Sequence, residues 1–256
     1  MRRILLRVAY DGRNYHGWQN QPNAITVEGK LNEAISDLTG TPVMVIGASR
    51  TDAGVHAYGN VAVFDTEMRM PAEKFAPALN TKLPEDIIIQ ESVECPLDFH
   101  PRKVKCRKTY EYTILARKTA LPEYNNYAYY FYRNLDVESM KRAAVFFKGR
   151  HDFKAFCSAH TTTKTTVRTI YDVQIKEEKL AVGGRLIKIY ITGNGFLYNM
   201  VRIIAGTLLE VGIGKRSPKE IPKLIIEKDR EASGPTAPPQ GLKLLNIDFG
   251  KSLKEV

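Results

Sequence analysis

Residues 41–66 read TPVMVIGASRTDAGVHAYGNVAVFDT, a pair of strand-like runs separated by a polar loop. The runs are Thr41–Ala48 and Tyr58–Thr66, and the loop contains RTDAGVH at residues 50–56. An Asp-x-Gly turn is sufficient to join two strands, so an ordinary hairpin loop is the simplest interpretation. The loop also places Asp52 between an arginine and a histidine, and a nearby guanidinium keeps a carboxyl group ionised. Because an ionised Asp can act as a nucleophile, a reactive carboxylate is the alternative.

Around this loop, the first half of the chain predicts the order β-α-β-β-α-β. Ile4–Tyr10 and Asp86–Val93 have strand character at the two ends of this half. Thr26 can cap a helix that closes at Gly40, and a second helix spans about Pro71–Asn80. The apolar face of the first helix is formed by Val27, Leu31, Ala34, Ile35 and Leu38. This order predicts a split βαβ, ferredoxin-like unit, a fold that does not by itself establish a function.

The second half predicts another antiparallel sheet with helices. Its predicted strands are Thr109–Leu115, Tyr127–Tyr132, Arg168–Lys176, Arg185–Thr192 and Leu244–Phe249. Its predicted helices begin after Asp136, span about Phe196–Glu210, and begin again at the capping box Ser217–Glu220. The chain therefore predicts two α+β subdomains, residues 1–105 and 106–256, with a ligand cleft between them.

The charge of the chain favours a polyanionic partner, since 38 basic and 28 acidic residues give a formal net charge of +10. Many of the positive charges fall in one segment, at Arg102, Lys103, Lys105, Arg107 and Lys108. Aromatic side chains flank this segment: Phe99 and His100 precede it, and Tyr110 and Tyr112 follow. Cations interleaved with aromatic rings suit phosphate contact and base stacking in RNA. The alternative is a solvated edge strand that uses lysine for protection.

Composition excludes several classes of protein. With 43% hydrophobic and 26% charged residues, the chain is globular and not disordered. No apolar run approaches the roughly 20 residues of a membrane span, and no signal peptide precedes Ile4–Tyr10, so we expect a cytoplasmic protein. The three cysteines are scattered, which predicts no disulfide, and the five histidines show no zinc-ligand spacing, which predicts no metal site.

Two further residues stand out by their positions. Arg202 is the only charge in the apolar run Phe196–Leu209, so it either extends to solvent or needs an anionic partner, for which Asp52 is the candidate. Tyr110 and Tyr112 share one strand face by alternation. A tyrosine at such a position belongs to the core or, beside a basic segment, forms a platform for a base.

Several segments together resemble the tRNA pseudouridine synthase A family. They are Tyr10–Gly12, Tyr15–Gln19, Arg50–Ala57, Phe99–Arg102, Arg107–Tyr112, Gly149–Phe156, Arg168, Asn194–Arg202 and Pro235–Leu242. These segments follow the family's order over nearly the whole chain, and the Asp52 loop and Asn194–Arg202 are the most specific of them. Lys243 departs from the pattern, since relatives often carry an aromatic residue there.

The resemblance implies an α+β pseudouridine synthase fold, with two ferredoxin/RRM-like antiparallel-sheet subdomains flanked by helices and a central active-site cleft. It implies an isomerase that converts uridine to pseudouridine at positions 38, 39 and 40 of the tRNA anticodon stem-loop. The family works without metal or organic cofactor and as a homodimer, so the expected partners are tRNA and a second copy of the chain.

The resemblance also implies the roles of individual residues. Asp52 would be the nucleophile, Arg50 would help to hold and flip the target, Tyr110 would stack on the uracil, and Arg202 would pair with Asp52. The residues implied in substrate binding are Tyr110, Phe99, His100, Pro101, Arg102, Lys103, Arg107, Lys108 and Arg168. Attack at the sugar C1′ or at the base C6 stays open, as does the role of Tyr110 as a base or only a platform.

Two other functions compete with this one. A non-catalytic RNA-binding protein of RRM-like architecture accounts for the charge and the aromatic residues. It gives Asp52 no task, however, because a carboxylate that faces phosphates weakens binding. A glycosidase that acts on another nucleoside is the third possibility, and it predicts release of free base.

Overall fold

The computed structural model describes residues 1–158 and 163–250 of the chain. The remaining residues, which include His160 and the last six of the predicted second subdomain, lie outside the described part. Two compact units are present: one contains Met1–Arg107 and the chain from Leu244 onward, and the other contains Lys108–Lys243. The predicted boundary at residue 105 lies close to the first division, whereas the last strand belongs largely to the first unit.

Both units contain β-strands and α-helices. In chain order the strands are β1 (Arg2–Tyr10), β2 (Ile46–Gly47), β3 (His56–Thr66), β4 (Ile87–Cys95), β5 (Arg107–Ala116), β6 (Tyr129–Phe131), β7 (Gly149–Asp152), β8 (Val167–Lys179), β9 (Arg185–Gly193) and β10 (Leu242–Asp248). The α-helices are α1 (Val27–Thr39), α2 (Phe75–Asn80), α3 (Val137–Ala144), α4 (Met200–Gly212) and α5 (Ile221–Glu227). The predicted α+β class is confirmed. Among the described residues, no helix has the length and hydropathy needed to cross a membrane.

The first unit has the predicted β-α-β-β-α-β order. Its sheet runs β4-β1-β3-β10, and the short β2 also pairs with β3. Strand β1 is antiparallel to both neighbours, so Leu5 lies opposite Val63 on one side and Val93 on the other. All three side chains are buried, which places the core of this unit on one face of the sheet.

Strand β2 is much shorter than the predicted strand Thr41–Ala48. The backbone N–H of Val43 donates to Ser36 Oγ, and that of Val45 donates to Asn32 Oδ1, both at 2.9 Å. Side chains of α1 therefore take the donors that a neighbouring strand would need. Pro42 has no N–H to contribute, so the ladder begins only at Ile46.

The helix caps predicted from sequence are confirmed. Thr26 Oγ1 accepts from Gly29 N at 3.2 Å, and Gly40 ends α1 with a φ of 71°. Asp136 caps α3 by accepting from Ser139 N, and the capping box at Ser217 precedes α5 through a 3₁₀ turn. Each of these signals is a contact between residues close in sequence, which explains why the sequence shows them.

The second unit is built on the order β5-β9-β8-β7, with β6 parallel to β5. Strands β8 and β9 form the predicted hairpin, whose turn uses positive φ at Gly183 and Gly184. Strand β7 was not predicted, because four residues around a positive-φ glycine, Gly149, give too short a pattern to recognise.

The predicted start of a helix at Phe196 is wrong, because α4 begins at Met200. Asn199 has a φ of 60°, which breaks a right-handed helix at that residue. The segment from Asn194 to Asn199, called here the 194–199 loop, is bonded instead to distant residues. Thr169 N donates to Asn194 Oδ1 at 2.9 Å, and Ser158 N donates to the Tyr198 carbonyl at 3.2 Å.

Candidate active site

The loop that carries Asp52 is fixed by the segment that follows β1. Thr51 Oγ1 lies 2.7 Å from the Tyr10 hydroxyl in a buried hydrogen bond. The Thr51 carbonyl accepts from Trp18 N at 3.0 Å, and Gly54 N donates to the Tyr15 carbonyl at 3.3 Å. Asp52 itself is half-buried, and neighbouring backbone on both sides is tied to the N-terminal segment. The carboxylate is therefore presented from a rigid backbone.

Close backbone approach explains two glycines in this region. A Cβ on Gly12 would lie 2.1 Å from the Val55 carbonyl oxygen. Gly17 has a φ of +90°, and a Cβ there would lie 2.6 Å from the Thr51 carbonyl oxygen. Neither position leaves room for a side chain, so the two glycines let the N-terminal segment lie directly against the Asp52 loop.

His56 lies at the other end of the Asp52 loop. Its ring is buried, and Nδ1 lies 3.1 Å from Gly12 N and 3.1 Å from Asp11 Oδ1. Sequence reasoning singled out His56 beside Asp52 but could not find these partners, which are more than forty positions away in the chain. The imidazole packs against the N-terminal segment and serves as a structural tie.

A matched pair of glycine substitutions tests this backbone contact. Gly17→Ala and Gly40→Ala both force an alanine into positive φ, at a cost of about 1–2 kcal/mol each. Only Gly17 also faces a backbone oxygen, whereas nothing lies within 4 Å of a Cβ on Gly40. We expect Gly17→Ala to lose about 1–3 kcal/mol more in the free energy of unfolding, measured in urea, because of this overlap. Equal losses in the two variants would contradict the contact.

In the second unit, the 194–199 loop lies against three predicted site residues, Tyr110, Arg168 and Arg202, the last through Asn199. The Tyr110 ring packs edge-to-face on Phe196, with ring centroids 5.1 Å apart. A Cβ on Gly195 would lie 3.8 Å from Arg168 Cδ. Residues 196–199 were predicted as the start of a helix, so the role of the loop in gathering these residues was missed.

Tyr110 and Tyr112 differ in their surroundings on β5. Tyr112 is fully buried, and its hydroxyl donates to the Pro238 carbonyl at 2.9 Å. Burial raises the pKa of Tyr112 well above its ordinary value. Tyr112 therefore belongs to the core of the second unit. Tyr110 is also largely buried, but its ring packs on Phe196 of the 194–199 loop.

Arg202 lies in the first turn of α4 and is half-buried. Its Nε donates to the Ala237 carbonyl, and its Nη1 donates to Asn199 Oδ1, both at 2.7 Å. Both acceptors are neutral, so these contacts orient the guanidinium without neutralising its charge. The side chain is held against protein groups and does not simply extend to solvent.

Arg168 lies near the start of β8 and is held by backbone carbonyls. Its Nη1 donates to Val167 O at 2.7 Å and to Thr165 O at 2.9 Å. Partial burial lowers the pKa of Arg168 from its ordinary value, although an arginine stays charged at any physiological pH. The charge is thus placed beside Gly195, at the 194–199 loop.

The basic segment after β4 separates into buried anchors and exposed cations. Phe99 is buried and packs edge-to-face on Phe249 at 5.5 Å, and Pro101 is buried as well. These two side chains pack into the interior of the first unit. His100 is half-buried. The exposed members are Arg102, Lys103, Lys105 and Arg107, with Lys108 half-buried.

Arg50 is exposed at the start of the Asp52 loop. Its guanidinium is accessible to a ligand, while the next residue, Thr51, anchors the backbone. In the first unit, one loop therefore carries both the exposed Arg50 and the half-buried Asp52. In the second unit, Tyr110, Arg168 and Arg202 lie around the 194–199 loop.

The chain matches known proteins over nearly its full length. The family model described as tRNA pseudouridine synthase matches residues 7–102 and 143–250. The tRNA pseudouridine synthase A of Caldicellulosiruptor bescii is 50% identical over 249 residues, which cover 97% of this chain and all of the relative. A protein of the same name from Acetivibrio thermocellus and tRNA pseudouridine synthase A 2 from Clostridium perfringens are each 49% identical with the same coverage. The chain, with its pseudouridine synthase fold, therefore belongs to the tRNA pseudouridine synthase A family of isomerases.

Proposed function

We propose that this isomerase converts uridine to pseudouridine at positions 38, 39 and 40 in the anticodon stem-loop of tRNAs, with Asp52 as the nucleophile and the target base flipped out of the stem. The observation that carries the proposal is the Asp52 loop, whose backbone is held by Tyr15 and Trp18 and whose Thr51 side chain is held by Tyr10. Such a loop keeps a carboxylate in one position while a large substrate is bound.

The reaction breaks the bond between N1 of uracil and C1′ and forms a bond between C5 and C1′. The C5 proton is lost, and N1 gains a proton, so substrate and product contain the same atoms. No oxidant, reductant or group donor is required. Asp52 supplies the attacking carboxylate, and its attack at C1′ or C6 stabilises the separated base and sugar until they rejoin.

The other site residues have separate tasks. Arg50, exposed beside Asp52, holds the flipped nucleotide. Tyr110 supports the uracil ring in the flipped position, and Arg202 pairs with Asp52 to keep it ionised. Flipping costs a few kcal/mol, because the base leaves its stack and its pairing partner. Contacts to the RNA backbone offset this cost.

We assign these backbone contacts to the basic segment after β4 and to Arg168. The proposed set contains His100, Arg102, Lys103, Arg107, Lys108 and Arg168; Phe99 and Pro101 support the turn from inside. Lys and Arg side chains bind phosphates with little regard to sequence, and they make affinity fall steeply with salt.

Removing the exposed cations tests this interface. We expect the combined change Arg102→Ala, Lys103→Ala and Arg107→Ala to weaken tRNA binding about tenfold at low salt. The slope of log affinity against log salt should fall by about 1 for each cation removed. The matched control removes Lys30, Lys141 and Lys223, each of which is paired with an acid one helical turn away. An unchanged salt slope in the first variant, measured by filter binding, would contradict the assignment.

The proposal includes a homodimer in which one tRNA contacts both subunits. Light scattering of the purified chain should give about twice the mass of 28.9 kDa. A monomer that is fully active at the same concentration would contradict this part of the proposal.

Three tRNA transcripts test the proposed positions directly. Each carries uridine at only one of positions 38, 39 and 40, and a control carries cytidine at all three. We expect pseudouridine at the single uridine in each transcript and none in the control, mapped by carbodiimide treatment and primer extension. Pseudouridine found only elsewhere in the tRNA would overturn the position while leaving the isomerase activity intact.

A further inference from the structure

Asn199 has an unusual backbone conformation at a critical point of the chain. It immediately precedes α4, and its φ of 60° and ψ of 5° lie in the left-handed region. Its carbonyl accepts the hydrogen bond from Ile203 N at 2.9 Å. Glycine adopts this conformation without steric cost, and asparagine is one of the few other residues that enter it. Asparagine, unlike glycine, also brings to this position an amide that can form hydrogen bonds.

The amide of Asn199 is bonded at both ends. Its Oδ1 accepts from Arg202 Nη1 at 2.7 Å, and its Nδ2 donates to Ser158 Oγ at 2.8 Å. Ser158 is in turn fixed, because its N–H donates to the Tyr198 carbonyl at 3.2 Å. The amide is thus anchored on one side and presents its oxygen to the guanidinium on the other.

A second anchor holds the same guanidinium. Arg202 Nε donates to the Ala237 carbonyl at 2.7 Å, and Ala237 N donates back to the Arg202 carbonyl at 3.2 Å. A guanidinium is planar, so bonds at Nε and Nη1 together fix its plane and the direction of its remaining edge. Pairing with a carboxylate through two parallel bonds depends on that direction.

We propose that Asn199 is a positioning residue that sets the plane of the Arg202 guanidinium for its pairing with the nucleophilic carboxylate. This inference rests on the proposed function, in which Arg202 pairs with Asp52. Asn199 does not touch the substrate in this account. Its effect on the reaction passes entirely through Arg202.

The chain provides a matched control for the test. Asn23 has the same φ of 60° but lies on the surface, in the loop before α1. Asn199→Gly and Asn23→Gly both relieve left-handed backbone, and only the first removes the contact to Arg202. We expect Asn199→Gly to lower kcat about 10- to 100-fold with KM for tRNA within about twofold, since small misplacements of a catalytic group have effects of this size. Asn23→Gly should retain wild-type kcat and KM.

A double-mutant cycle separates positioning from general damage. In an Arg202→Met background, Asn199→Gly should cause no further loss of single-turnover rate, because the residue through which it acts is already absent. Ser158→Ala removes the anchor of the amide and should lower kcat several-fold without changing KM. Circular dichroism of each variant establishes that it is folded, and Ser158→Ala carries the test if Asn199→Gly does not fold.

The outcomes distinguish this inference from the proposed function. Wild-type kcat in Asn199→Gly or Ser158→Ala, beside an inactive Arg202→Met, would overturn the positioning role alone. Independent, multiplying losses in the double mutant would overturn it as well. Wild-type activity in Arg202→Met would overturn both the inference and the proposed role of Arg202.

Discussion

Asp52→Asn is expected to abolish pseudouridine formation, with a fall in single-turnover rate of about 10⁴-fold or more, as for other enzymes that lose their nucleophile. The amide is isosteric with the carboxylate but cannot form the covalent intermediate. The fold should not change, because the contacts that hold the loop come from Thr51 and Gly54 and not from the Asp52 side chain alone. The dissociation constant for tRNA should stay within a few-fold of wild type.

Asp37→Asn is the matched control for this result. It makes the same chemical change at an exposed carboxylate on α1, which is paired with Lys82. We expect wild-type rates in this variant. Product formation by Asp52→Asn at more than about 1% of the wild-type rate would remove the nucleophile from the mechanism, since residual catalysis without the attacking group is far smaller.

Arg202→Met is expected to lower the single-turnover rate about 10²- to 10³-fold, the usual effect of removing one group that stabilises charge in an active site. Methionine fills much of the volume of the arginine stem, but it supplies no cation for the proposed pairing with Asp52. Binding of tRNA should change little, because the affinity comes mainly from exposed cations.

Stability must be measured beside activity for this variant. The substitution leaves the Ala237 carbonyl and Asn199 Oδ1 without the donor they have in the wild type, which costs about 1–3 kcal/mol in unfolding free energy. Arg142→Met, on the exposed face of α3, is the matched control and should change neither the single-turnover rate nor the free energy of unfolding. An Arg202→Met protein that is folded and fully active would contradict the assigned role.

The sequence predicted those parts of the fold that depend on neighbouring residues. The caps at Thr26, Asp136 and Ser217 each join a side chain to a backbone group within one helical turn, so their residue types alone reveal them. Strand β1 also followed from the alternating run Ile4–Tyr10. Both kinds of signal are local.

The errors arose where distant side chains compete for backbone groups. Thr41–Ala48 alternates as a strand would, but Asn32 and Ser36 on α1 bond to its amides and leave only two residues for β2. The run from Phe196 is apolar enough for a helix, but the left-handed backbone at Asn199 delays α4 until Met200. Neither competition is visible in a window of neighbouring residues.

The candidate site likewise combines features that the local sequence predicts with features that depend on distant residues. The order of residues in the Asp52 loop identified it, and alternation placed Tyr110 on the face it shares with Tyr112. The sequence did not show that Gly12 and Gly17 support this loop. The backbone that each glycine contacts lies more than thirty positions away in the chain. Phe99 was grouped with its basic neighbours by sequence, whereas its packing on Phe249 involves a residue 150 positions away that the sequence could not indicate.

The most direct test of the central claim is tritium release from tRNA labelled at C5 of uridine, with free uracil measured in the same reaction. We expect the wild-type chain to release tritium in a one-to-one ratio with pseudouridine formed, and no uracil. Free uracil would indicate a glycosidase. Salt-sensitive tRNA binding without any tritium release would contradict the account and leave a non-catalytic RNA-binding protein.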